Sequence, residues 1–524
     1  MHDSVIVVGA GPVGLMLAAE LRLGGVGAVV LEQLPARDDA PKANGLVGQV
    51  VQVLHHRGLY QRLTGKPGPP KPSPAYMFGG LSLPIDPWDG NPLHALPLPQ
   101  WDLETGLAER AAELGADIRR GHRVTGFEQD DDAVTAHVVG PDGEYQLRAP
   151  YLVGCDGGHS AVRKTSGIDF PGVTSDRVTS RTAHVVLPAS MLVAGMLDLP
   201  SGRLAPFAYH RTNHGVFVFA SFQPGLHLVS CMEWDEPPVA DDEPVTLAEV
   251  QASMRRVLGV DIPVTAPTGP GRYQLRRLAS RNTRLAERYR AGRVLLAGDA
   301  AHVHSAIGGP GLNLGLQDVV NLGWKLAADV RGWAPAGLLD TYSSERRPLA
   351  ERVVLHSQAQ SALLAPGDQV TALRTLFGEL LDNPANVRHL AAMLAGADIR
   401  YSCGGSGRHP LLGRWVPDLP LTVAGQPTRL AELAHHARPI LLDLADDPLL
   451  AEVVVGWADR VDHVVASAEQ PPADAVLIRP DGYAAWIADD DPARRPATLA
   501  AALTTWFGEP VTVTGSAGSF RHEQ

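Results

Sequence analysis

The order of apolar and polar positions in the first part of the chain indicates buried strands that alternate with helices. Continuous apolar runs at 4–8 and 28–31 are typical of strands buried on both faces, as in a parallel sheet. A helix is predicted between them at roughly 13–23, and a helix at 101–114 precedes a strand at 117–120. Further buried-strand runs occur much later, at 151–155 and 293–297. This alternation predicts an α/β protein with a parallel sheet.

The middle of the chain has a different pattern. Between about 171 and 272 it is strand-like, with a period of two that predicts a sheet with one covered face. The stretch 66–99 is crowded with Pro and Gly and predicts loops and short strands, whereas 46–63 predicts a helix. A small antiparallel meander is predicted from three short strands, at 124–128, 134–139 and 145–149.

Helical periodicity returns in the last third. Apolar residues from Leu312 to Val330 recur at nearly every 3.6 positions, and two more helices are predicted within 340–395. A Gly-rich join at 402–413 precedes a tail of alternating helices and strands. The last two strands predicted in the tail, 475–478 and 483–486, form a hairpin that turns at Pro480-Asp481-Gly482.

The return of buried strands after the sheet-rich middle predicts a first domain that is discontinuous in sequence. We expect this domain to comprise 1–75, 100–170 and 273–395. We expect a second, β-sheet domain to comprise 76–99 and 171–272, and a third domain to comprise 402–524. A chain of 524 residues is too long for one hydrophobic core, which agrees with this division.

Composition narrows the class of protein. A net charge of −12 disfavours nucleic acid as a partner, because phosphate neutralisation needs clustered Lys and Arg. Three distant cysteines, Cys155, Cys231 and Cys403, predict neither a disulfide framework nor a zinc site and favour a reducing cytoplasm. Charged residues interrupt the apolar stretch 5–31, and no export signal is visible, so a cytoplasmic protein without a membrane span is expected.

The first strand leads directly into Gly9-x-Gly11-x-x-Gly14, the fingerprint of dinucleotide binding. Gly9 permits the tight turn, Gly11 lets the backbone approach a pyrophosphate, and Gly14 lets the next helix pack on the strand. The helix N-terminus would direct free N–H groups at the phosphates. Glu32 ends the second strand, where a carboxylate can accept both hydroxyls of a ribose. The other reading is a Gly-rich turn in an ordinary α/β domain.

Two further motifs follow strands. The first is Cys155-Asp156-Gly157-Gly158-His159-Ser160-Ala161-Val162-Arg163, and the second is Gly298-Asp299-Ala300-Ala301-His302 with Gly308-Gly309-Pro310-Gly311-Leu312-Asn313. With the fingerprint, this trio resembles the group A flavoprotein aromatic hydroxylases. Within that group the whole chain looks like the aromatic-polyketide hydroxylases of angucycline and tetracycline biosynthesis. The likeness extends to His409–Gly413 and Leu477–Tyr483.

The resemblance implies a fold like that of para-hydroxybenzoate hydroxylase, with a Rossmann-like FAD domain and a thioredoxin-like C-terminal domain. It implies FAD and NADPH as cofactors and addition of oxygen at flavin C4a, with transfer from the resulting hydroperoxide to a phenolic ring of a polycyclic substrate. The tail lacks C-x-x-C, so we expect a structural role or a role in a homodimer rather than dithiol chemistry. No side chain is singled out as a general base.

The residues expected to bind the cofactor cluster in the three motifs and four nearby positions. They are Gly9, Gly11, Pro12, Val13, Gly14, Glu32, Gln33, Gln49, Gln100, Val124, Asp156, Gly157, Asp299, Gly309, Gly311, Leu312 and Asn313. A turn acid is the other reading for Asp156, and a polar residue at a helix N-terminus is the other reading for Gln100. The residues expected to face the substrate are Trp88, Phe207, Tyr209, Phe219 and Pro310, and sheet core is the other reading for the aromatic residues at 207–222. His302 and His304 have only one nearby acid, Asp299, so no metal site is predicted.

Three positions depart from the family pattern. Gln49 replaces the usual Arg, Ala306 the usual Pro after the His motif, and Pro310 the usual Gln. These departures motivate one alternative with the same cofactor, a Baeyer–Villiger insertion of oxygen into a C–C bond. Another alternative, of a different class, is a nucleotide-binding subunit without catalytic activity.

Overall fold

The computed structural model describes residues 4–38, 42–85, 88, 90–237, 243–269, 271–279, 281–305, 307–403 and 409–511. Ala306, one of the three departures from the family pattern, lies outside the described residues. Among the described helices, none is both long and apolar enough to cross a membrane.

A six-stranded sheet contains the buried strands predicted from the apolar runs. Its strands, in spatial order, are Arg290–Ala291, Val294–Leu296, Leu152–Gly154, Ser4–Val8, Gly27–Glu32 and Asp117–Arg120. All neighbouring pairs are parallel except the first, which is antiparallel. The apolar runs read as buried strands therefore do pair in one sheet, and the α/β prediction is confirmed. Parallel strands place their carboxyl ends at one edge, so the residues that follow these strands meet there.

Four smaller sheets accompany this one in the first half of the chain. The predicted meander is present as Arg123–Gln129, Val134–Gly140 and Gly143–Ala149. Gly172–Ser175, Arg281–Leu285 and His302–Val303 form a three-stranded sheet. Two-stranded pairs join Gly45–Val47 to Ala95–Pro97 and Ala75–Phe78 to Leu81–Pro84. The Pro-rich stretch thus consists of loops and short strands, as expected.

The strand-like middle region forms a five-stranded antiparallel sheet and a small three-stranded one. The larger sheet contains His210–Thr212, Gly215–Gln223, Leu226–Trp234, Val178–Val185 and Leu275–Leu278. The smaller one contains Leu192–Val193, Met196–Leu199 and Gly202–Leu204. A helix, Leu247–Leu258, packs on the larger sheet, and the purely strand-like interpretation of this region missed it.

The helix predicted at 46–63 is wrong in its first residues and in its continuity. The chain forms the strand Gly45–Val47 and then two helices, Gln49–His56 and Leu59–Thr64. Gly58 separates the two helices because it adopts a left-handed conformation with φ of 68°. A left-handed residue ends a helix, since it cannot continue the right-handed geometry.

The remaining helices cover the sheets. Three helices adjoin strands of the six-stranded sheet in sequence: Pro12–Leu23 and Ala161–Thr165 each follow a strand, and Gln100–Glu113 precedes one. Pro310–Val330 packs against Pro12–Leu23, and three helices follow it where two were predicted: Asp340–Leu364, Asp368–Leu381 and Pro384–Ala395. The third arises because Gly367 and the Asn383-Pro384 pair break the region twice.

The C-terminal part has its own sheet. Its four strands are Asp462–Val465, Ile440–Asp443, Ala475–Ile478 and Ala484–Ile487 in spatial order, beside the pair Pro420–Val423 and Gln426–Arg429. Helices Leu430–Leu433, Pro448–Val454 and Arg495–Phe507 accompany them. The predicted hairpin is present, and its turn points towards the helices Pro310–Val330 and Asp340–Leu364.

Candidate active site

The fingerprint glycines form a tight turn at the carboxyl end of the first strand. Gly9 has a φ of 105°, and a Cβ there would overlap the backbone carbonyl of Cys155. A Cβ on Gly14 would collide with the carbonyl oxygen of Gly9. Gly11 differs, because none of the described atoms lies within 4 Å of its Cβ position. Its missing side chain therefore leaves open space in front of the helix Pro12–Leu23, as expected if a pyrophosphate approaches there.

Glu32 lies at the end of the neighbouring strand and points back to this turn. Its carboxylate accepts hydrogen bonds from the backbone N–H of Ala10, at 2.9 Å, and of Leu34, also at 2.9 Å. These bonds fix the orientation of the carboxylate, which remains partly exposed at the sheet edge. Gln33, the next residue, is exposed.

The second motif follows the strand Leu152–Gly154. The Asp156 carboxylate accepts from the Ser160 hydroxyl at 2.5 Å and from the backbone N–H groups of Ala161 and Val162. Asp156 thus caps the short helix that follows, and this geometry favours the turn-acid reading over a direct cofactor contact. Gly157, with φ of 80°, has no described atom within 4 Å of its Cβ position.

The third motif combines an exposed acid with a glycine loop. Asp299 follows the strand Val294–Leu296, and its side chain reaches solvent although protein surrounds it on most sides; this burial raises its pKa above the usual value. Gly309, with φ of 67°, precedes the helix Pro310–Val330, and its Cβ position is open within 4 Å in the described part of the chain. The Asn313 side chain accepts from Val47 N–H at 3.0 Å and donates to the Gly309 carbonyl at 2.7 Å.

Direct contacts bring the three motifs together. A Cβ on Gly315 would lie 2.9 Å from the Val13 side chain and 3.1 Å from the Gly298 Cα, so this glycine lets the long helix approach the fingerprint. Arg163 donates to the carbonyls of Ala300, at 2.9 Å, and Gly158, at 3.0 Å. Gly315 and Arg163 join the motifs although neither was predicted as a site residue. Arg163 is the last residue of the second motif, and Gly315 lies two residues beyond the third.

A buried carboxylate, also missed from the sequence, supports the third motif. Asp318 is fully buried and accepts from His302 Nε2 at 2.7 Å, Arg346 Nε at 2.8 Å and Gly298 N–H at 3.3 Å. Burial alone would raise its pKa, but the charges of His302 and Arg346 lower it below the usual value. Asp318 therefore holds the turn that carries Asp299. The described residues contain no cluster suited to a metal ion, and His302 has a structural partner instead.

Three of the predicted cofactor residues outside the motifs have structural partners. Gln49 is buried, and its side-chain oxygen accepts from the Tyr483 hydroxyl at 3.0 Å. Gln100 accepts from Ala43 N–H at 3.4 Å and donates to Glu104 at 2.7 Å, near the start of its helix. Val124 lies in the meander, paired with Val138. Their contact with a cofactor stays a prediction.

The structure separates the predicted substrate residues. Phe219 is fully buried in the core between the five-stranded sheet and the helix Leu247–Leu258, so its ring does not line a pocket, and this expectation is corrected. Phe207 is exposed, with φ of 61°. Trp88 packs among the residues around Phe78. Only Tyr209 and Pro310 lie beside the glycine loop.

Two tyrosine hydroxyls meet at Gly308, one from each segment assigned to the second domain. Tyr209 accepts from Gly308 N–H at 3.5 Å, and Tyr76 donates to the Gly308 carbonyl at 3.4 Å. Burial raises the pKa of both tyrosines, so both remain protonated near neutral pH. Tyr76 was not predicted as a site residue.

A cavity of about 240 Å³ begins beside this loop. Gly308 and Pro310 line one end, the helix Asp340–Leu364 lines one side, and the region near Arg400 lines the other end. His356 lines it too; this side chain is only 4% exposed, and its Nδ1 has no hydrogen-bond partner among the described residues. Burial lowers the pKa of His356 to about 4, so it is neutral near pH 7.

The residues around the crevice fit FAD. Open Cβ positions at Gly11, Gly157 and Gly309 leave a cradle that side chains would fill, and Glu32 and Asp299 lie at the carboxyl ends of the strands. Residues 3–357 match the family model of the FAD binding domain, and residues 409–510 match that of the aromatic-ring hydroxylase C-terminal domain. The chain therefore belongs to the FAD-dependent aromatic-ring hydroxylases, and it is an FAD-dependent monooxygenase. The resemblance based on the three motifs is confirmed.

Individual relatives agree with this assignment. The chain is 42% identical to anhydrotetracycline monooxygenase of Streptomyces rimosus, with 97% of this chain and 100% of that protein covered. The solved structure of OxyS, an anhydrotetracycline hydroxylase from the same species, gives a TM-score of 0.85 at 41% identity and covers 98% of this chain and 100% of its own. CabE, an aromatic hydroxylase from angucycline biosynthesis, gives 0.84 at 40% identity, with 97% and 100% covered.

Proposed function

We propose that the protein uses FAD, NADPH and molecular oxygen to hydroxylate the phenolic ring of a polycyclic aromatic polyketide. The observation that carries the proposal is the open glycine cradle, which meets a cavity and two protonated tyrosines at Gly308. The 42% sequence identity with an anhydrotetracycline monooxygenase, which extends over 97% of this chain, supports a polyketide substrate. When bound, FAD would supply the redox chemistry, namely its own reduction by NADPH and the activation of molecular oxygen.

The cradle residues would hold FAD in two parts. Glu32 would accept the ribose hydroxyls of the adenosine half, and the open backbone at Gly11 would receive the pyrophosphate on the helix dipole. Asp299 would bind the ribityl chain. The N-terminus of the helix Pro310–Val330 would face the pyrimidine edge of the ring system and stabilise negative charge there. Gly309 would leave room for the flat ring.

The substrate side of the loop would be formed by different residues. Tyr76 and Tyr209 would hold the Gly308 backbone in place and limit the access of water. The cavity beside Pro310 would take part of the ring system, and the neutral His356 at its wall would offer a hydrogen bond to an oxygen of the substrate. A dry, shaped pocket holds the ring near the activated oxygen, and such positioning is the main contribution that the protein makes.

The domain boundaries expected from the sequence complete the proposal. An FAD domain would comprise 1–75, 100–170 and 273–395, and the β-sheet domain 76–99 and 171–272 would cover the substrate. Residues 402–524 would form a thioredoxin-like domain with a structural role or a role in a homodimer. Free cysteines at three distant positions agree with a reducing, cytoplasmic environment.

The decisive experiment measures NADPH oxidation by the purified, flavin-loaded protein with a panel of tricyclic and tetracyclic phenols. We expect one class of phenol to accelerate NADPH consumption and to give a product heavier by one oxygen, which carries label from ¹⁸O₂. A colourless protein that never binds FAD would support the alternative of a non-catalytic subunit and refute the proposal. Faster NADPH oxidation with no oxygenated product would refute hydroxylation.

The same labelled products decide between hydroxylation and Baeyer–Villiger insertion. Both add one oxygen, so the product must be examined for a new phenol or a new lactone. Of the three departures that motivated insertion, Ala306 lies outside the described residues, Gln49 bonds to Tyr483, and Pro310 lines the cavity. This geometry supports hydroxylation as the first choice, and a lactone as the sole product would replace it.

A further inference from the structure

The hairpin turn Arg479–Tyr483 in the C-terminal part is inserted into the FAD-binding half. Arg479 is fully buried and forms two hydrogen bonds with Glu345, at 2.7 and 2.8 Å, and an ion pair with Asp481. Lys325 also reaches Glu345, at 2.6 Å. Burial alone would raise the pKa of Glu345, but these two cations hold it well below its usual value. The turn is thus anchored by buried charges that each have partners.

One chain of contacts leads from this turn to residues 45–49, which are hydrogen-bonded to the helix that follows the glycine loop. The Tyr483 hydroxyl donates to Gln49 at 3.0 Å, and both side chains are buried. Gln49 begins a helix two residues after Val47, whose backbone N–H donates to Asn313. Tyr483 therefore holds the segment whose Val47 N–H is hydrogen-bonded to Asn313 at the start of the long helix.

A second path leads to the third motif. The ring of Tyr483 packs on that of Tyr401, with centroids 4.3 Å apart. The Tyr401 hydroxyl accepts from Arg346 at 3.1 Å, and Arg346 donates to Asp318 at 2.8 Å. Asp318 in turn accepts from the backbone N–H of Gly298. The two paths end on two different segments, 45–49 and 298–302, and both segments border the cradle.

We propose that Tyr483 and Tyr401 are positioning residues through which the C-terminal part sets FAD affinity and the surroundings of the flavin ring. Tyr483 acts through Gln49, and Tyr401 acts through Arg346 and Asp318. The inference rests on the proposed placement of the flavin ring between these segments. Neither hydroxyl contributes to the charge anchor at Arg479 and Glu345, so removing one loosens a cradle segment without releasing the turn.

The test uses the full-length holoenzyme and Tyr483→Phe, which keeps the ring and its packing but leaves the Gln49 oxygen without its donor. We expect the dissociation constant for FAD to rise about tenfold and the visible flavin spectrum to shift, together with a lower Tm because a buried acceptor is left unpaired. Tyr289→Phe is the matched control. Tyr289 is fully buried in the FAD-binding half, and its hydroxyl has no hydrogen-bond partner in the described part of the chain.

A double-mutant cycle with Gln49→Leu tests the path itself. If the two residues act through one bond, the double variant binds FAD about as weakly as the weaker single variant. Tyr401→Phe should also weaken FAD binding, because it removes the hydroxyl that accepts from Arg346. FAD affinity equal to that of the Tyr289 control, or a lower Tm with unchanged affinity, would overturn the proposal. If the parent enzyme binds FAD but oxygenates no phenol, only the proposed function fails.

Discussion

Replacement of Gly11 by Ala separates the need for cofactor space from the need for a stable fold. Gly11 has φ of −75° and ψ of 178°, an extended conformation that any residue adopts. Its Cβ position has no neighbour within 4 Å among the described atoms. A Gly-to-Ala change at a compatible site stabilises a protein by about 0.4–1 kcal/mol, and the weaker N-cap of Ala offsets part of that gain. We therefore expect the FAD-free variant to unfold within about 1 kcal/mol of the parent.

The expected effect on FAD is much larger. A methyl group in the open space in front of the helix would push the pyrophosphate away from the helix N-terminus. Hydrogen bonds to a charged group contribute about 1.5–3 kcal/mol each, so the loss of one raises the dissociation constant about 10- to 150-fold. Fluorescence titration of FAD into the FAD-free protein measures this constant, and urea unfolding of the same sample measures stability.

Two further glycines serve as controls for this experiment. Gly378→Ala lies inside the helix Asp368–Leu381, also with open space at its Cβ, and should leave FAD affinity unchanged. Gly14→Ala should destabilise the FAD-free protein itself, since its Cβ would collide with Gly9. A Gly11→Ala protein that binds FAD within about twofold of the parent would refute the placement of the pyrophosphate.

Three other changes test the structure away from this turn. Asp318→Asn should cost about 3–5 kcal/mol in urea unfolding, because it leaves the buried guanidinium of Arg346 without its charged partner. Phe219→Ala should cost about 3–5 kcal/mol, and Phe207→Ala at the half-exposed position should cost clearly less; equal costs would contradict the assigned burial. Burial lowers the pKa of His356 from 6.5 to about 4, so its contribution to stability is complete above pH 6.5 and is lost as the pH falls towards 4. His356→Asn should therefore reduce the loss of unfolding free energy between pH 7 and pH 4.5 by up to about 3 kcal/mol, measured by urea unfolding, and an unchanged pH profile would refute the assignment.

Features that depend on neighbours in sequence were predictable. The apolar run at Ser4–Val8 and the glycines after it specify a buried strand and a turn within eleven residues, and both are present. The helix Leu247–Leu258 was predictable too, although it was missed. Thr246 accepts from Glu249 N–H in the pattern of a capping box, and Gly259 ends the helix with φ of 71°. These local signals outweighed the strand-like composition around them.

Features that depend on which face is covered were not predictable from the period alone. The alternation around Phe217 and Phe219 indicates that both rings share one face of the sheet, and both are fully buried. It does not indicate whether a helix or a ligand covers that face. The helix Leu247–Leu258 covers it, so the substrate residues must be sought on the other side, where Tyr209 reaches Gly308.

A long-range partner accounts for the glutamine at position 49, where the family pattern has arginine. Its partner Tyr483 lies 434 positions away, beyond any sequence window. Tyr483 is buried, and burial raises its pKa well above the usual value, so it presents a neutral hydroxyl. A neutral amide suits that donor, whereas an arginine would bury a charge without an acidic partner at this contact. The glutamine therefore belongs with the hairpin turn, and the departure from the family pattern at position 49 is better explained by the contact between the two halves than by altered oxygen chemistry.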